Sequence, residues 1–577
     1  MILKALYDYY HRCDALPPFG KELKEIHYLV IVSKEGKFIR LEDCKIGKNE
    51  YSTFLVCKGV GRTSAEAANF LYDKSEYVFG YPETAKSKSC FTCFKEKIKD
   101  IAELVPDNTD IQALLGFYNQ EPSEIISQLE SDPLWNDILD YKSKKSATKD
   151  LIFSFRIDGD TKIIAEKDEL IKLNHSSNVD SEDAVCLITG NRCNPVETTS
   201  ATMIPGSQAT AKLVAFQVSS GYDSYGKEKG FNAPISEEAE FAYTTALKHL
   251  LSKESKNRFL IGIRTFVFWA SSNNEAAQQA EDEMFNLFGF ATEQNTDDPN
   301  KGIMQVRKVF EAIYNGTLNT KDDDKFYILG LAPNAARIAV VYWQETPLKD
   351  FAAKILKHFD DMEILDTRKE KKPYAGLHSI LGAVTLGGKS SDATPNLPEA
   401  VVKSIFQGLP YPFTLYASSI RRILAEQNPT ITRVAILKAY INRINNNLKI
   451  TPMLDKENTN KGYLFGRLFA TLVKIQKDAN KIETIRERYM NTISSTPAAV
   501  FSTIMNLSVH HLAKLQEGKA IYYEKLKQEI IDKLSSKAIP THLDLQDQGL
   551  FFIGYYHQWQ DFFTGKADDA DEKQSEL

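Results

Sequence analysis

Between an apparent strand, Tyr51-Ser-Thr-Phe-Leu-Val-Cys57, and a predicted helix carrying Asn69, the chain reads Lys58-Gly59-Val-Gly61-Arg62-Thr63-Ser64. A strand-to-helix junction of this composition offers backbone N–H groups, cationic side chains and two hydroxyls to a phosphate, and the amide of Asn69 can pair with the edge of an adenine. The plain alternative is a turn with a solvated arginine and a capping Ser or Thr. A second constellation lies between residues 205 and 234. Gly206-Ser207-Gln208 and Tyr225-Gly226-Lys227-Glu-Lys229-Gly230-Phe-Asn232 set permissive glycines beside donors and an aromatic ring. There Lys227 and Lys229 can hold phosphates and Gln208 can intrude between bases, unless these are two ordinary glycine-rich turns. A third lies between residues 416 and 449, where Arg421, Arg422, Arg433, Lys438, Arg443 and Lys449 stand against Glu426 alone, with Arg467 beyond. A helical surface with that basic excess can follow a nucleic-acid backbone; solvated helix faces are the alternative.

Catalytic patterns are missing by comparison. The chain has no phosphate-binding loop ending in Gly-Lys-Ser/Thr, no His-Glu-x-x-His and no Gly-x-Ser-x-Gly. The carboxylate runs Asp322-Asp-Asp324 and Asp360-Asp361 are what a metal-dependent nuclease would need, but the first follows Asn319-Thr-Lys and reads as a solvated turn. Cys90 and Cys93 have half of a zinc spacing, but Cys186 and Cys193 are too far apart in sequence to supply the other half as a knuckle. The side chains of His510 and His511 diverge by about 100° on a helix. No metal or cofactor is expected, and no catalytic residue.

The elements that position these groups follow from pattern. A length of 577 residues allows several cores. With 43% hydrophobic and 26% charged residues, and no long apolar run, the composition is that of a globular chain without a membrane span. Seven cysteines without a framework spacing, and an opening that lacks a secretory pattern, point to a cytoplasmic protein. The net charge of −6 excludes a generally basic nucleic-acid binder, though not a local basic groove. Residues 1–150 read as an N-terminal α+β domain, with a helix before Pro17-Pro18, strands at 27–33 and 51–57, a hairpin turn at Lys34-Glu-Gly36-Lys37, and helices after residue 82. Residues 151–395 read as a central α+β domain with strands at 151–157, 212–217, 259–269, 326–331 and 337–343, and a helix capped by Ser236. Residues 396–564 read as an all-α bundle broken at Pro429, Pro452, Pro497 and Pro540, and 565–577 as a disordered acidic tail. The fold class is therefore α+β, with mixed N-terminal and central regions followed by a C-terminal helical bundle.

Several ordered blocks carry a resemblance. They include Met1-Ile-Leu-Lys-Ala-Leu-Tyr-Asp-Tyr-Tyr10, Gly61-Arg-Thr-Ser64 with Ala67-Ala-Asn-Phe-Leu71, and Cys186-Leu-Ile-Thr-Gly190. Later blocks are Phe326-Tyr-Ile-Leu-Gly-Leu-Ala-Pro-Asn334, Gly408-Leu-Pro-Tyr-Pro412 and Gly462-Tyr-Leu-Phe-Gly-Arg467. Together they resemble the large subunit of the type I-C CRISPR surveillance complex, Cascade, over most of the chain; the match is thin at about 84–180, 271–325 and the tail. The resemblance implies a non-catalytic subunit that recognises a protospacer-adjacent motif on target double-stranded DNA, helps to open it and stabilises the displaced strand. On that basis Lys58, Gly59, Arg62, Thr63, Ser64 and Asn69 are the candidate motif-recognition residues. Gly206, Ser207, Gln208, Tyr225, Lys227, Lys229 and Asn232 are candidates for DNA opening, and Arg421, Arg422, Arg433, Lys438, Arg443 and Arg467 for a displaced-strand groove. The implied partners are the guide RNA complex, the backbone and handle-binding subunits, a helicase-nuclease, and a small subunit translated from an internal start. Met453, after Pro452 and before a polar linker, is the best-placed start codon for that product.

Overall fold

A computed structural model describes residues 2–48, 50–60, 66–143, 151–175, 184–217, 223, 225–287, 301–367, 375–445, 449–534 and 539–575. The fold is mixed α+β, with several small sheets followed by a helical C-terminal region. Contacts divide it into two units, residues 1–202 with 214–249, and residues 203–213 with 250–577.

The first unit opens with α1 (Ile2–Arg12), then β1 (Lys21–Glu25), β2 (Tyr28–Val32), β3 (Phe38–Asp43), β4 (Lys45–Gly47), β5 (Glu50–Tyr51), β6 (Thr53–Cys57) and β7 (Tyr72–Lys74). Helices α2 (Ser75–Val78), α3 (Ala85–Leu104), α4 (Thr109–Tyr118), α5 (Pro122–Glu130) and α6 (Pro133–Ser143) follow. The unit continues with β8 (Ile152–Ile157), α7 (Asp168–Ile171), β9 (Ala184–Val185), β10 (Arg192–Cys193) and α8 (Glu237–Leu251). The main sheet has the order β3-β2-β8-β7, with β2 parallel to β8 and the other pairs antiparallel. Leu29-Val-Ile-Val32 is buried along its whole length, as a central strand covered on both faces must be. The β2–β3 turn passes so close to α4 that a Cβ on Gly36 would lie 2.4 Å from the Ala113 carbonyl oxygen. Thr84 and Asn108 cap α3 and α4 through their side chains, and Pro122 and Pro133 open α5 and α6. Aromatic rings including Phe79, Phe94, Phe117, Trp135, Phe153 and Phe155 fill the core between sheet and helices.

The second unit contains β11 (Arg258–Ile261), β12 (Arg264–Ala270), α9 (Glu275–Leu287), α10 (Lys301–Asn315), β13 (Lys325–Asn334), β14 (Arg337–Pro347) and α11 (Leu348–Met362). Next come α12 (Leu377–Gly382), α13 (Leu397–Gln407), α14 (Phe413–Glu426), α15 (Ile431–Ile444), α16 (Lys461–Asn480), α17 (Thr484–Ser495), α18 (Phe501–Leu512), α19 (Glu517–Asp532) and α20 (Leu545–Ser575). Strands β11 to β14 form an antiparallel meander, and their apolar face joins α9 to α13 in one core. A further core binds α14 to α20. Helix α15 belongs to both, giving Ala435, Ile436 and Ala439 to the first and Val434, Leu437 and Ile441 to the second. Helices α16 and α20 cross at contact distance because Gly462, Gly466 and Gly554 have no side chains there.

Three local expectations change. Residues 212–217 are not a strand; Lys212 alone makes a bridge, to Arg337. Asn69 is not on a helix: residues 66–69 have no regular structure, its N–H goes to the Asp73 carboxylate, and Leu71 adopts φ +64° before β7 begins. The acidic segment after Gly565, expected to be irregular, continues the backbone of α20 to Ser575. Among the described residues no helix is long and apolar enough to cross a membrane.

Candidate nucleic-acid interface

The β1–β6 ribbon ends at the Lys21–Cys57 pair, and the candidate loop leaves from there. Its first residues are held on every side. Lys58 N–H donates to the Gly20 carbonyl at 2.8 Å, Gly59 N–H to Glu22 Oε1 at 3.1 Å, and Val60 N–H to Asn69 Oδ1 at 2.9 Å. Tyr72 donates its hydroxyl to Glu22 Oε1 and is also 2.9 Å from the Cys57 carbonyl; burial raises its pKa, and the Glu22 carboxylate raises it further. A Cβ on Gly59 would press on Tyr72, Asn69 and Glu22 at 3.2–3.3 Å. Lys58 reaches the buried Glu240 carboxylate at 3.3 Å and lies 5.2 Å from the Phe241 ring centroid. The other oxygen of Glu240 accepts from Ser200 N–H. Lys248, on the same helix α8, is within electrostatic reach of Lys58, Lys24, Glu22 and Glu240. The outcome is a rigid platform with lysines around it, from which residues 61–65 depart. Arg62, Thr63 and Ser64 lie outside the described residues.

Asn69 is only 8% exposed and its side-chain carbonyl is occupied by Val60. A bidentate contact to adenine needs both ends of the amide, so here Asn69 positions the loop. Glu22, Tyr72 and Asp73 do the same work and were not visible in the motif, because their roles come from chain segments far apart in sequence.

The second candidate surface divides between the units. Gly206, Ser207 and Gln208 are in the second. The Ser207 hydroxyl closes a turn on Ile204, and Gln208 N–H donates to the Ala335 carbonyl at the β13–β14 tip. Gln208 itself is exposed. Tyr225, Lys227, Lys229 and Asn232 are in the first unit. Tyr225, with φ +55°, is fully exposed, and Lys227 is exposed beside it. Lys229 instead pairs with Glu197, and Asn232 Nδ2 donates to the Lys227 carbonyl at 2.7 Å, so these two shape the loop. Gly230 is required because a Cβ there would meet the Val196 carbonyl oxygen at 1.9 Å.

The expected displaced-strand groove needs the largest correction. Arg433, Lys438 and Arg467 are 5%, 1% and 0% exposed, and the side chain of Arg443 is 2% exposed. Lys438 Nζ donates to the Asp360 and Asp361 carbonyls at 3.0 and 2.9 Å, closing the C-terminal end of α11, where a cation also opposes the helix dipole. Arg443 pairs with the Asp361 carboxylate at 2.5 Å and covers the Tyr411 ring. Arg433 binds the Ala383 carbonyl at 2.8 Å and the Glu426 carboxylate. Arg467 binds Gln558 at 3.1 Å, Glu529 at 3.2 Å and the Lys456 carbonyl at 3.4 Å. A phosphate cannot reach these donors without opening the bundle. Arg421 alone of the six is exposed, while Arg422 is held by Glu426.

The carboxylate runs are likewise committed to structure. Asp324 is buried rather than solvated. Burial alone would raise its pKa, but hydrogen bonds from Lys321 N–H, Ser272 and Asn274 hold it lowered. Asp360 pairs with Arg307, and Asp361 with Arg443. Cys90 is buried on α3, and Cys186 accepts from Ser236 N–H. His511 is buried and His510 exposed, the divergence their adjacency predicts.

A family model described as "CRISPR-associated protein (Cas_Csd1)" matches residues 6–563. The chain belongs to this family. Membership over nearly the whole length agrees with the resemblance to a type I-C Cascade large subunit, and makes the chain a CRISPR-associated Cascade component. No curated protein matches it.

Proposed function

We propose that this Cas_Csd1 protein is a non-catalytic Cascade subunit that reads a short motif on duplex DNA beside the guide-paired target, through the loop that begins at Lys58. The observation that carries the reading is the platform: Gly20, Glu22 and Asn69 fix three successive backbone N–H groups, so Gly61-Arg62-Thr63-Ser64 leaves from an invariant geometry. Base readout demands such preorganisation, whereas a solvated turn does not. Sequence along the target is then read by the guide RNA, the division of labour described for another CRISPR effector class. Exposed Gln208, Tyr225 and Lys227 are our candidates for gripping or opening DNA next to the motif, and Arg421 for the displaced strand. Backbone and handle-binding subunits and a recruited helicase-nuclease complete the proposed assembly, in the cytoplasm.

The test is binding of the guide-loaded complex to duplexes with randomised bases beside the target. Arg62→Ala should reduce discrimination between preferred and disfavoured motifs by about 1–3 kcal/mol. Asn69→Ala should weaken binding to both alike, with Asn69→Asp, which keeps the acceptor for Val60 N–H, closer to the parent. Unchanged discrimination in Arg62→Ala would remove this loop from motif reading.

We further propose that a small subunit starts at Met453. This residue is exposed in the connection between α15 and α16, and Lys461 opens α16 only after it, so the product would hold five whole helices, α16 to α20. It would lack Tyr416, Ile420, Val434 and Leu437, which complete the same core here. Mass spectrometry of complex purified from the untagged gene should show a component beginning at Met453, and changing that codon should abolish it. A component that persists after the change refutes the assignment.

A further inference from the structure

Inside the second unit a cavity of about 590 Å³ opens where α12, α15, α17 and α20 approach one another. Its wall includes the first turn of α15, a helix of 14 residues whose Thr430 N-cap makes no side-chain hydrogen bond, so the positive end of that helix is left without a side-chain acceptor. Arg433 and Arg486 line the same space. Around them Arg422 and Arg433 share Glu426, while Lys477 and Arg486 share Glu483. Four cations against two carboxylates leave a positive surplus. Two polar atoms of lining residues, Arg486 Nε and the hydroxyl of Tyr555, are buried without a hydrogen-bond partner among the described residues, and Tyr555 is only 3% exposed. A buried hydroxyl left unpaired costs stability that packing alone does not require. Tyr556 and Trp559 add aromatic surface to the wall.

We propose that this cavity binds the phosphate of a nucleotide. The phosphate sits at the N-terminus of α15 within reach of Arg486, and the base lies along the aromatic wall. A helix N-terminus with guanidinium groups is suited to a tetrahedral anion, the volume is that of a small-molecule site, and adjacent rings favour a planar base over a bare ion. Free mononucleotides and the 5′-phosphate end of a strand share this chemistry. The proposal does not depend on the motif-reading loop, which belongs to the other unit.

Calorimetric titration of the full-length protein with thymidine 5′-monophosphate, inorganic phosphate, and ten-residue oligothymidylate with or without a 5′-phosphate tests it. The monophosphate should bind, and Arg486→Met should weaken it at least about tenfold through loss of a charged hydrogen bond. Tyr555→Phe should weaken it by roughly three- to tenfold while leaving the melting temperature of the unliganded protein unchanged, since the hydroxyl is unpaired there. Arg488→Met, which removes an exposed cation from the same helix α17 outside the cavity, should bind like the parent. Tighter binding of the phosphorylated oligonucleotide than of its 5′-hydroxyl form assigns the site to a strand end; preference for the monophosphate assigns it to free nucleotide. Absence of binding by both phosphorylated ligands at millimolar concentration, undiminished binding by Arg486→Met, or inorganic phosphate binding as tightly as the monophosphate would overturn the proposal.

Discussion

Gly466→Ala is expected to lower the stability of the full-length chain by about 2–4 kcal/mol, the cost of forcing apart two packed helices. On α16 a Cβ at Gly466 would lie 2.0 Å from the Phe551 carbonyl oxygen, and one at Gly462 would lie 2.2 Å from that of Asp547. On α20 a Cβ at Gly554 would lie 2.2 Å from the Tyr463 carbonyl oxygen. The obstructing atoms are backbone in all three cases, so no side-chain rotation relieves the overlap and the helices must separate. Separation withdraws Leu464, Phe469, Phe551 and Phe552 from close packing in the same core. Alanine's higher helix propensity works in the opposite direction by about 1 kcal/mol, which is too little to reverse the sign. Gly518→Ala on α19 provides the contrast. Nothing lies within 4 Å of the position its Cβ would take, so that change should be neutral or slightly stabilising. Denaturant melts of the three proteins decide the matter; a Gly466→Ala protein as stable as its parent would mean that the α16–α20 crossing is looser than described.

The Gly-Tyr-Leu-Phe-Gly string was legible as a family block, but its physical reason appears only when α20, some 80 residues later, is laid against it. Elements whose signal is local came through well. The unbroken apolar run Leu29-Val-Ile-Val32, the Gly36 turn, the Ser236 cap on α8 and the proline breaks of the bundle are each determined by a few neighbouring residues. Functions that depend on distant partners did not. Asn69 looked like a reader because an amide beside a basic loop suits a base edge, and only the fold shows that the Val60 N–H has taken its acceptor. The basic residues of α15 misled for a related reason. A charge count treats every cation as solvated, yet Val434, Ala435, Ile436, Leu437, Ala439 and Ile441 leave α15 without a polar side, so cations among them have to be buried and paired inside.

That distinction gives the second large effect. Arg467→Met should cost about 2–4 kcal/mol and leave the salt dependence of single-strand binding unchanged, whereas Arg421→Ala should do the reverse. Arg467 is completely buried, and its loss strands the Gln558 amide oxygen and the Lys456 carbonyl without their donor. Glu529 is 41% exposed at its side chain and can turn to water, which keeps the penalty below that of a fully enclosed ion pair. Arg421 is exposed on α14 with a single hydrogen bond to Ser418, so its removal should barely alter the melting temperature. If its guanidinium neutralises one phosphate of the displaced strand, the slope of log K against log salt should fall by about 0.7. Measuring both quantities on both variants separates a structural cation from a binding one. A slope that changes with Arg467→Met at unchanged stability would return that residue to the nucleic-acid track, and a slope unmoved by Arg421→Ala would leave this face of α14 without a role in holding the strand.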